Sequence, residues 1–228
     1  MTDRPSPPAL LALEARVRDD LARVVHPARP WMPTRATPNG RHIHDVVIVG
    51  AGQGGLAIAH ALRREQVTNI VVIDKAPAGG EGVWVQYARM PTLRSPKEFT
   101  GPDLGLPSLT YQSWHEATYG PESWATLGRI PKDDWSAYLA WYRRVLDLPV
   151  RNDTALTGIA PLAGGGLCLT VTTPAGTEEL LTRKLVLATG QDGMGRWWMP
   201  DFVEALPERF RATCDADIDF AALKGKTV

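Results

Sequence analysis

Two uninterrupted aliphatic runs, Val46-Val47-Ile48-Val49 and Ile70-Val71-Val72-Ile73, stand on either side of a stretch with helical apolar spacing from Leu56 to about Glu65. Runs without alternating polar positions read as strands buried on both faces, as in a parallel sheet. The first run breaks into Gly50-Ala51-Gly52-Gln53-Gly54-Gly55 before the helical pattern begins. The order is therefore strand, Gly-rich turn, helix, strand. Further on, Ala155–Ile159, Gly166–Thr172 and Thr177–Leu181 read as short strands joined by turns at 163–165 and 174–176, a small antiparallel meander. The meander leads into Lys184–Gly190, which reads as a separate buried strand closing on Ala188-Thr189-Gly190.

Helical spacing appears twice more. Leu10, Leu13, Val17, Leu21 and Val24 give one apolar stripe behind Pro8, while residues 1–7 are polar and Pro-rich. Residues 26–40 read as a Pro/Gly-rich linker. Residues 108–148 are helical and aromatic, with Pro131 placed like a first-turn proline, Asp133 and Asp134 near the positive helix end, and Arg143 and Arg144 near the other. Trp135, Tyr138, Leu139, Tyr142 and Leu146 recur at three- and four-residue spacing. An aromatic substrate pocket formed with Trp114 and Trp124 is one reading, but ordinary amphipathic packing explains the spacing better. Likewise Asp133-Asp134 reads as helix-end charge before it reads as a catalytic pair. The expected fold is α/β, a Rossmann-like parallel sheet with helices and the small meander. Residues 1–40 form an N-terminal helix and linker, and 41–228 a dinucleotide-binding domain.

The glycine spacing Gly50-x-Gly52-x-x-Gly55, met between a strand and a helix, is the dinucleotide-binding fingerprint in its proper context. Gly50 serves the tight turn, Gly52 lets backbone approach a pyrophosphate, and Gly55 lets the helix pack on the strand. The helix N-terminus then offers unpaired N–H groups to phosphate. Asp74, the first polar residue after the second strand, stands roughly 20 residues on, where an acidic side chain accepts from a ribose. From Lys75 to Lys97 the chain is rich in Gly and Pro and lacks regular periodicity, as functional loops often do. Gly79-Gly80 permits close passage over a ligand, Trp84 offers a flat apolar face, and Arg89, Arg94 and Lys97 offer positive charge.

Composition removes several alternatives. The 25 basic and 25 acidic side chains balance, so nothing draws the chain towards nucleic acid or a membrane surface. Cys168 and Cys214 are far apart and in no C-x-x-C, which leaves no disulfide framework, zinc site or dithiol pair. His42 and His44 form an H-x-H without a third ligand near in sequence and read as a solvated strand entrance. No G-x-S-x-G or H-E-x-x-H occurs. There is no secretory signal and no run of 18 apolar residues, which makes the cytoplasm the default location.

Together, Gly50, Gly52, Gly55, Asp74, Gly79-Gly80 with Trp84, and Ala188-Thr189-Gly190 resemble the flavin-dependent monooxygenases with two dinucleotide-binding domains: flavin-containing, Baeyer–Villiger and N-hydroxylating monooxygenases. The resemblance implies FAD held at Gly50, Gly52, Gln53, Gly54 and Gly55, its adenosine ribose at Asp74 with Lys75 beside it, and its flavin end near Gly80 and Trp84. It further implies adenine against the backbone of Leu156, and Thr189-Gly190 where the chain crosses towards an NADPH-binding domain. NADPH would reduce the flavin, and a C4a-(hydro)peroxyflavin would oxygenate a small molecule. No second G-x-G-x-x-G occurs between residues 80 and 228, and Leu223–Val228 looks like the run-in to the strand that carries it. The chain therefore reads as the FAD-binding part of an incomplete two-domain architecture. A non-catalytic FAD-binding module and a single-site NAD-dependent dehydrogenase are the alternatives. Substrate and oligomeric state are not legible.

Overall fold

Val46–Val49 and Ile70–Ile73 lie side by side as parallel strands, Val46 opposite Ile70 through Val49 opposite Ile73. They form β2 (His42–Val49) and β3 (Ile70–Ile73) of a seven-stranded sheet. The computed structural model describes residues 7–99, 101–191, 193, 195, 198–213 and 216–226. Residues 1–6, Cys214, Thr227 and Val228, on which parts of the sequence reading fell, lie outside the described residues. The strand order is β4 (Val150–Arg151), β3, β2, β7 (Gly176–Leu187), β6 (Leu167–Thr173) and β5 (Ala155–Pro161), and β1 (Arg35–Ala36) pairs antiparallel with the start of β2. Parallel pairing joins β4, β3, β2 and the second half of β7, while β5, β6 and the first half of β7 form the meander.

Strand periodicity sends alternate residues of β2 and β3 into two cores. Val46, Ile48, Ile70 and Val72 face a helical layer. Its core includes Leu56 of α2 (Gln53–Arg64), Tyr111 and Trp114 of α3 (Tyr111–Tyr119), and Trp135, Tyr138 and Trp141 of α5 (Lys132–Val145). Val47, Val49, Val71 and Ile73 face the meander's Leu169, Val171 and Leu180. The aromatic spacing of α5 is thus core packing, as its amphipathic pattern predicts, with Tyr138 and Tyr142 fully buried. Asp133 and Asp134 lie in its first turn, where Asp134 accepts from the Tyr119 hydroxyl. The N-terminal helix α1 (Pro8–Arg23) packs Leu10 and Val17 onto this layer, and its buried Glu14 pairs with Arg144 at 2.6 Å.

Five sequence expectations change. The strands expected at 177–181 and 184–190 are one continuous β7, antiparallel to β6 up to Thr182 and parallel to β2 from Leu181. The polar Thr182-Arg183 between the two expected strands is satisfied within the continuous one. The Thr182 hydroxyl donates to Lys184 O at 2.7 Å, and Arg183 reaches the buried Asp45 at 3.0 Å. The parallel half is also less buried than a both-faces reading requires, since Leu187 is exposed. Pro131 is the N-cap of α5 rather than its first turn. The 26–40 linker contributes β1 to the sheet edge, and Ala221–Leu223, near the expected run-in to another strand, is a 3-10 turn.

A buried polar chain ties α2 to α5. The Tyr142 hydroxyl donates to Pro102 O (2.5 Å), so it accepts from His60 Nδ1–H at 2.6 Å, which leaves His60 Nε2 buried and without a partner among the described residues. Burial and the nearby Arg64 push the His60 pKa down from 6.5 to about 4. Because the unfolded chain takes up this proton first, stability should fall as pH drops from about 6.5 to about 4 and level off below. His60 alone should contribute about 3 kcal/mol of that fall. Unfolding curves of wild type and His60→Gln across this window isolate the term. Parallel pH profiles for the two proteins would show that His60 is not the source.

Candidate functional site

At the carboxyl end of β2 the chain turns at Gly50, whose φ is +105°. A Cβ there would lie 2.4 Å from Ala188 O, so the turn is pressed against the end of β7, where Ala188 N also donates to Val49 O at 2.8 Å. Gly55 is held more tightly: a Cβ would meet Gly50 O at 1.8 Å. Gly52 differs. It is the N-cap of α2, has ordinary extended dihedrals, and supplies no side-chain cap. The first N–H groups of α2 have no intrahelical acceptor and combine with the positive end of the helix dipole. A virtual Cβ on Gly52 touches Gly82 alone, its Cα at 3.4 Å and its N at 3.9 Å, and one on Gly54 meets nothing within 4 Å.

Asp74 is buried at the end of β3 and does structural service that the sequence reading missed. Its Oδ2 accepts from Ala51 N at 2.7 Å and its Oδ1 from Ala76 N at 2.8 Å, which ties the Gly-rich turn to the next loop. Each carboxylate oxygen keeps a further lone pair for a ligand hydroxyl. Thr154 N donates to Asp74 O at 2.8 Å, so the start of β5, and Leu156 two residues on, comes back beside this carboxylate. Lys75 is exposed next to it. Thr189, half-buried, and Gly190 follow Ala188 at the other side of the Gly50 turn. The structure thus brings Gly50, Gly52, Gln53, Gly54, Gly55, Asp74, Lys75, Leu156, Thr189 and Gly190 to one edge of the sheet.

Gly80 and Trp84 arrive there on a loop that is pinned from behind. Glu81 accepts from Arg143 at 2.5 Å and from Asn152 Nδ2 at 2.5 Å, its second oxygen accepts from Gly79 N at 2.8 Å, and Asn152 Oδ1 accepts from Arg143 at 2.9 Å. This network carries no motif of its own. Only the position of Glu81 between glycines, and of Arg143 on the last turn of α5, hints at it. It seats Gly82 (φ +71°) over Gly52. Trp84 stands between two clefts. One of about 430 Å³ runs from Gly52 and Leu56 to Arg143 and Arg144, and one of about 330 Å³ is lined by Gln53, Trp135, Leu93 and Arg94.

Two of the three cations expected near phosphate are engaged elsewhere. Lys97 Nζ donates to the carbonyls of Trp124 and Leu127, both at 2.6 Å, and lies over the Trp124 ring, where it caps α4 (Ser123–Thr126). Arg89 donates to Ala216 O and covers the Phe220 ring. At the sheet entrance, His42 Nε2 is 2.8 Å from Asn69 Oδ1, and its ring meets that of His44 edge-on. Among the described residues, no three His, Cys, Asp or Glu side chains gather as a metal site. No helix there is long and apolar enough to cross a membrane.

The geometry fits an adenine dinucleotide: a turn that only glycine can make, a helix start without a capping side chain, and a carboxylate at the end of the next strand. Residues 47–192 match a family model described as FAD-NAD(P)-binding. Over 224 residues the chain is 48% identical to an FAD-dependent urate hydroxylase of Xanthomonas campestris pv. campestris, covering 96% of this chain and 46% of that protein. Among solved structures it resembles the reduced form of an ornithine hydroxylase of Pseudomonas aeruginosa (TM-score 0.57, 20% identity, 72% of this chain and 42% of that one). It also resembles an FAD-bound cadaverine monooxygenase of Erwinia amylovora (TM-score 0.53, 18% identity, 66% and 36%). These two likenesses are likenesses of fold. The chain spans about half the length of the curated relatives it matches, 46% and 42%.

Proposed function

The chain belongs to the FAD-NAD(P)-binding family, and from that premise we propose that it is the FAD-holding part of an NADPH-dependent hydroxylase acting on a small heterocycle, urate in the first instance. The observation that carries this reading is the 48% identity with the urate hydroxylase, which extends along 224 residues and so across the whole glycine and Asp74 cradle. In this reading the pyrophosphate takes the N–H groups at the start of α2 beside Gly52, Gln53 and Gly54, and the ribose takes the open lone pairs of Asp74. Lys75 and Leu156 would hold the adenine, and Gly80, Trp84, Thr189 and Gly190 would border the ring end. When bound, FAD would supply the redox chemistry of an NADPH- and oxygen-dependent hydroxylation. The chain's own residues bind and orient it, and the Glu81–Arg143–Asn152 network holds the covering loop. Residues 1–40 serve as a docking segment and 41–228 as the FAD domain, with NADPH bound outside the stretch from 80 to 228, which has no second fingerprint.

The test is the visible spectrum of the purified chain, with the released cofactor identified by mass. A flavin spectrum with FAD released is expected. A folded, colourless protein that takes up no added FAD would remove the cofactor assignment. For the hydroxylase step, the full gene product should consume NADPH and oxygen when urate is added, and urate-independent consumption only would remove that substrate.

A further inference from the structure

The cleft of about 330 Å³ beside Trp84 has features that FAD binding at the cradle leaves unused. Its walls are Trp84, Trp135, Leu93 and Phe99, an apolar and aromatic set suited to a flat ring. Three polar residues, Gln53, Arg94 and Ser95, stand among them. Gln53, the first residue of α2, accepts from Trp135 Nε1–H at 3.3 Å through its amide oxygen, which leaves its amide N–H groups to donate. Arg94 is the cation of the three. Among the described residues its guanidinium makes no hydrogen bond or ion pair, unlike Arg89, Lys97 and Arg129 around it.

The backbone that carries Arg94 is fixed with unusual thoroughness for a loop. Leu93 N donates to Ile130 O at 2.8 Å, Lys132 N donates to Pro91 O at 3.1 Å, and Thr92 pairs with Pro131 as an isolated antiparallel bridge. Arg129 also donates to the carbonyl oxygen of Arg94. A positioned segment that ends in an unpaired cation at the mouth of an aromatic cavity describes a receptor for a planar anion. A guanidinium gives such a ligand charge and paired donors in one plane.

We propose that this cavity takes the hydroxylation substrate as a planar heterocyclic anion, lying against Trp84 and Trp135, with Arg94 as the residue that selects for its charge. The inference rests on the hydroxylase reading above and adds the substrate's site and class to it. Gln53 and Trp84 border both the cradle and the cavity, so a ring bound here lies next to the flavin end, where oxygen transfer requires it. Urate, singly ionised at neutral pH, has the required shape and charge. Hypoxanthine, a neutral purine of similar outline, has the shape alone.

Calorimetric titration of the FAD-loaded chain with urate, orotate and hypoxanthine tests this on wild type, Arg94→Gln and Arg94→Lys. Loss of one charge-assisted contact should weaken urate binding about tenfold or more in Arg94→Gln. Arg94→Lys should fall between, and hypoxanthine binding and FAD content should not change. Equal urate affinity in wild type and Arg94→Gln overturns the assignment of Arg94 while leaving urate as substrate. Loss of FAD from Arg94→Gln overturns it by making Arg94 a cofactor ligand. If wild type binds orotate but not urate, and Arg94→Gln loses orotate, the site and its charge selection stand and the urate reading falls. Binding of neither anion by wild type overturns the proposal.

Discussion

A Gly55→Ala variant should lose about 3 kcal/mol or more of the stability of the fold. The added Cβ would sit 1.8 Å from the carbonyl oxygen of Gly50 and 2.9 Å from its carbon, with Ile48 Cγ2 behind at 3.5 Å. None of these neighbours can give way. Gly50 N is bonded to Ile73 O at 2.8 Å, its Cα faces Ala188 O, and Ile48 is fully buried in the centre of the sheet. The start of α2 would have to move about 1 Å off β2 to relieve the contact, which opens the packing of Leu56 and Ala59 as well. Overpacking against backbone at such a place costs about 3 kcal/mol or more, a large share of the 5–15 kcal/mol that typically holds a domain together. Gly54→Ala is the control. It has open space and helical propensity in its favour, and should be neutral or more stable by about 0.5–1 kcal/mol. Denaturant midpoints decide the matter: if Gly55→Ala unfolds where wild type does, the close approach is not a constraint.

The parts of this molecule that could be read from sequence are those in which one residue type has one physical use. Unbroken aliphatic runs gave β2 and β3 because only a strand covered on both faces tolerates them, and the glycine spacing located the turn because side chains cannot enter it. The meander was legible from its turns. What escaped the sequence was satisfaction at a distance. Thr182-Arg183 falls between the two expected strands, and becomes mid-strand only because Asp45, 138 positions away from Arg183, answers the guanidinium. Val150–Arg151 is too short to show a period, and is a strand because β3 lies beside it. Lys97 and Arg89 carry charge in the right stretch of chain, yet helix α4 and the segment near Phe220 take them. Asp74 follows its strand as its position after the aliphatic run suggests, but its two bonds to backbone N–H groups could not be seen before Ala51 and Ala76 were brought within reach.

Gly52→Val should do the opposite of Gly55→Ala, leaving the fold and removing the cofactor. With φ −70° and ψ −176° the position is extended backbone that a β-branched residue adopts readily, and a Cβ meets only Gly82, at an ordinary 3.4 Å to Cα and 3.9 Å to N. The cost to the free chain is therefore small, at most about 1 kcal/mol for replacing a tolerated N-cap residue with a poor one. The ligand is affected differently. A pyrophosphate that reaches the first N–H groups of α2 must pass where the valine methyls now stand. Losing two charge-assisted hydrogen bonds corresponds to a hundredfold or greater drop in affinity, on the order of 3 kcal/mol. The variant should purify folded, with wild-type circular dichroism and a near-normal denaturant midpoint, but without flavin colour. Full flavin content in folded Gly52→Val would sink the cradle assignment, since no pose that uses the α2 N-terminus survives a side chain there. Set beside Gly55, the result would separate the motif's glycines by function: one absent side chain lets the chain approach itself, and the other lets the chain approach its ligand.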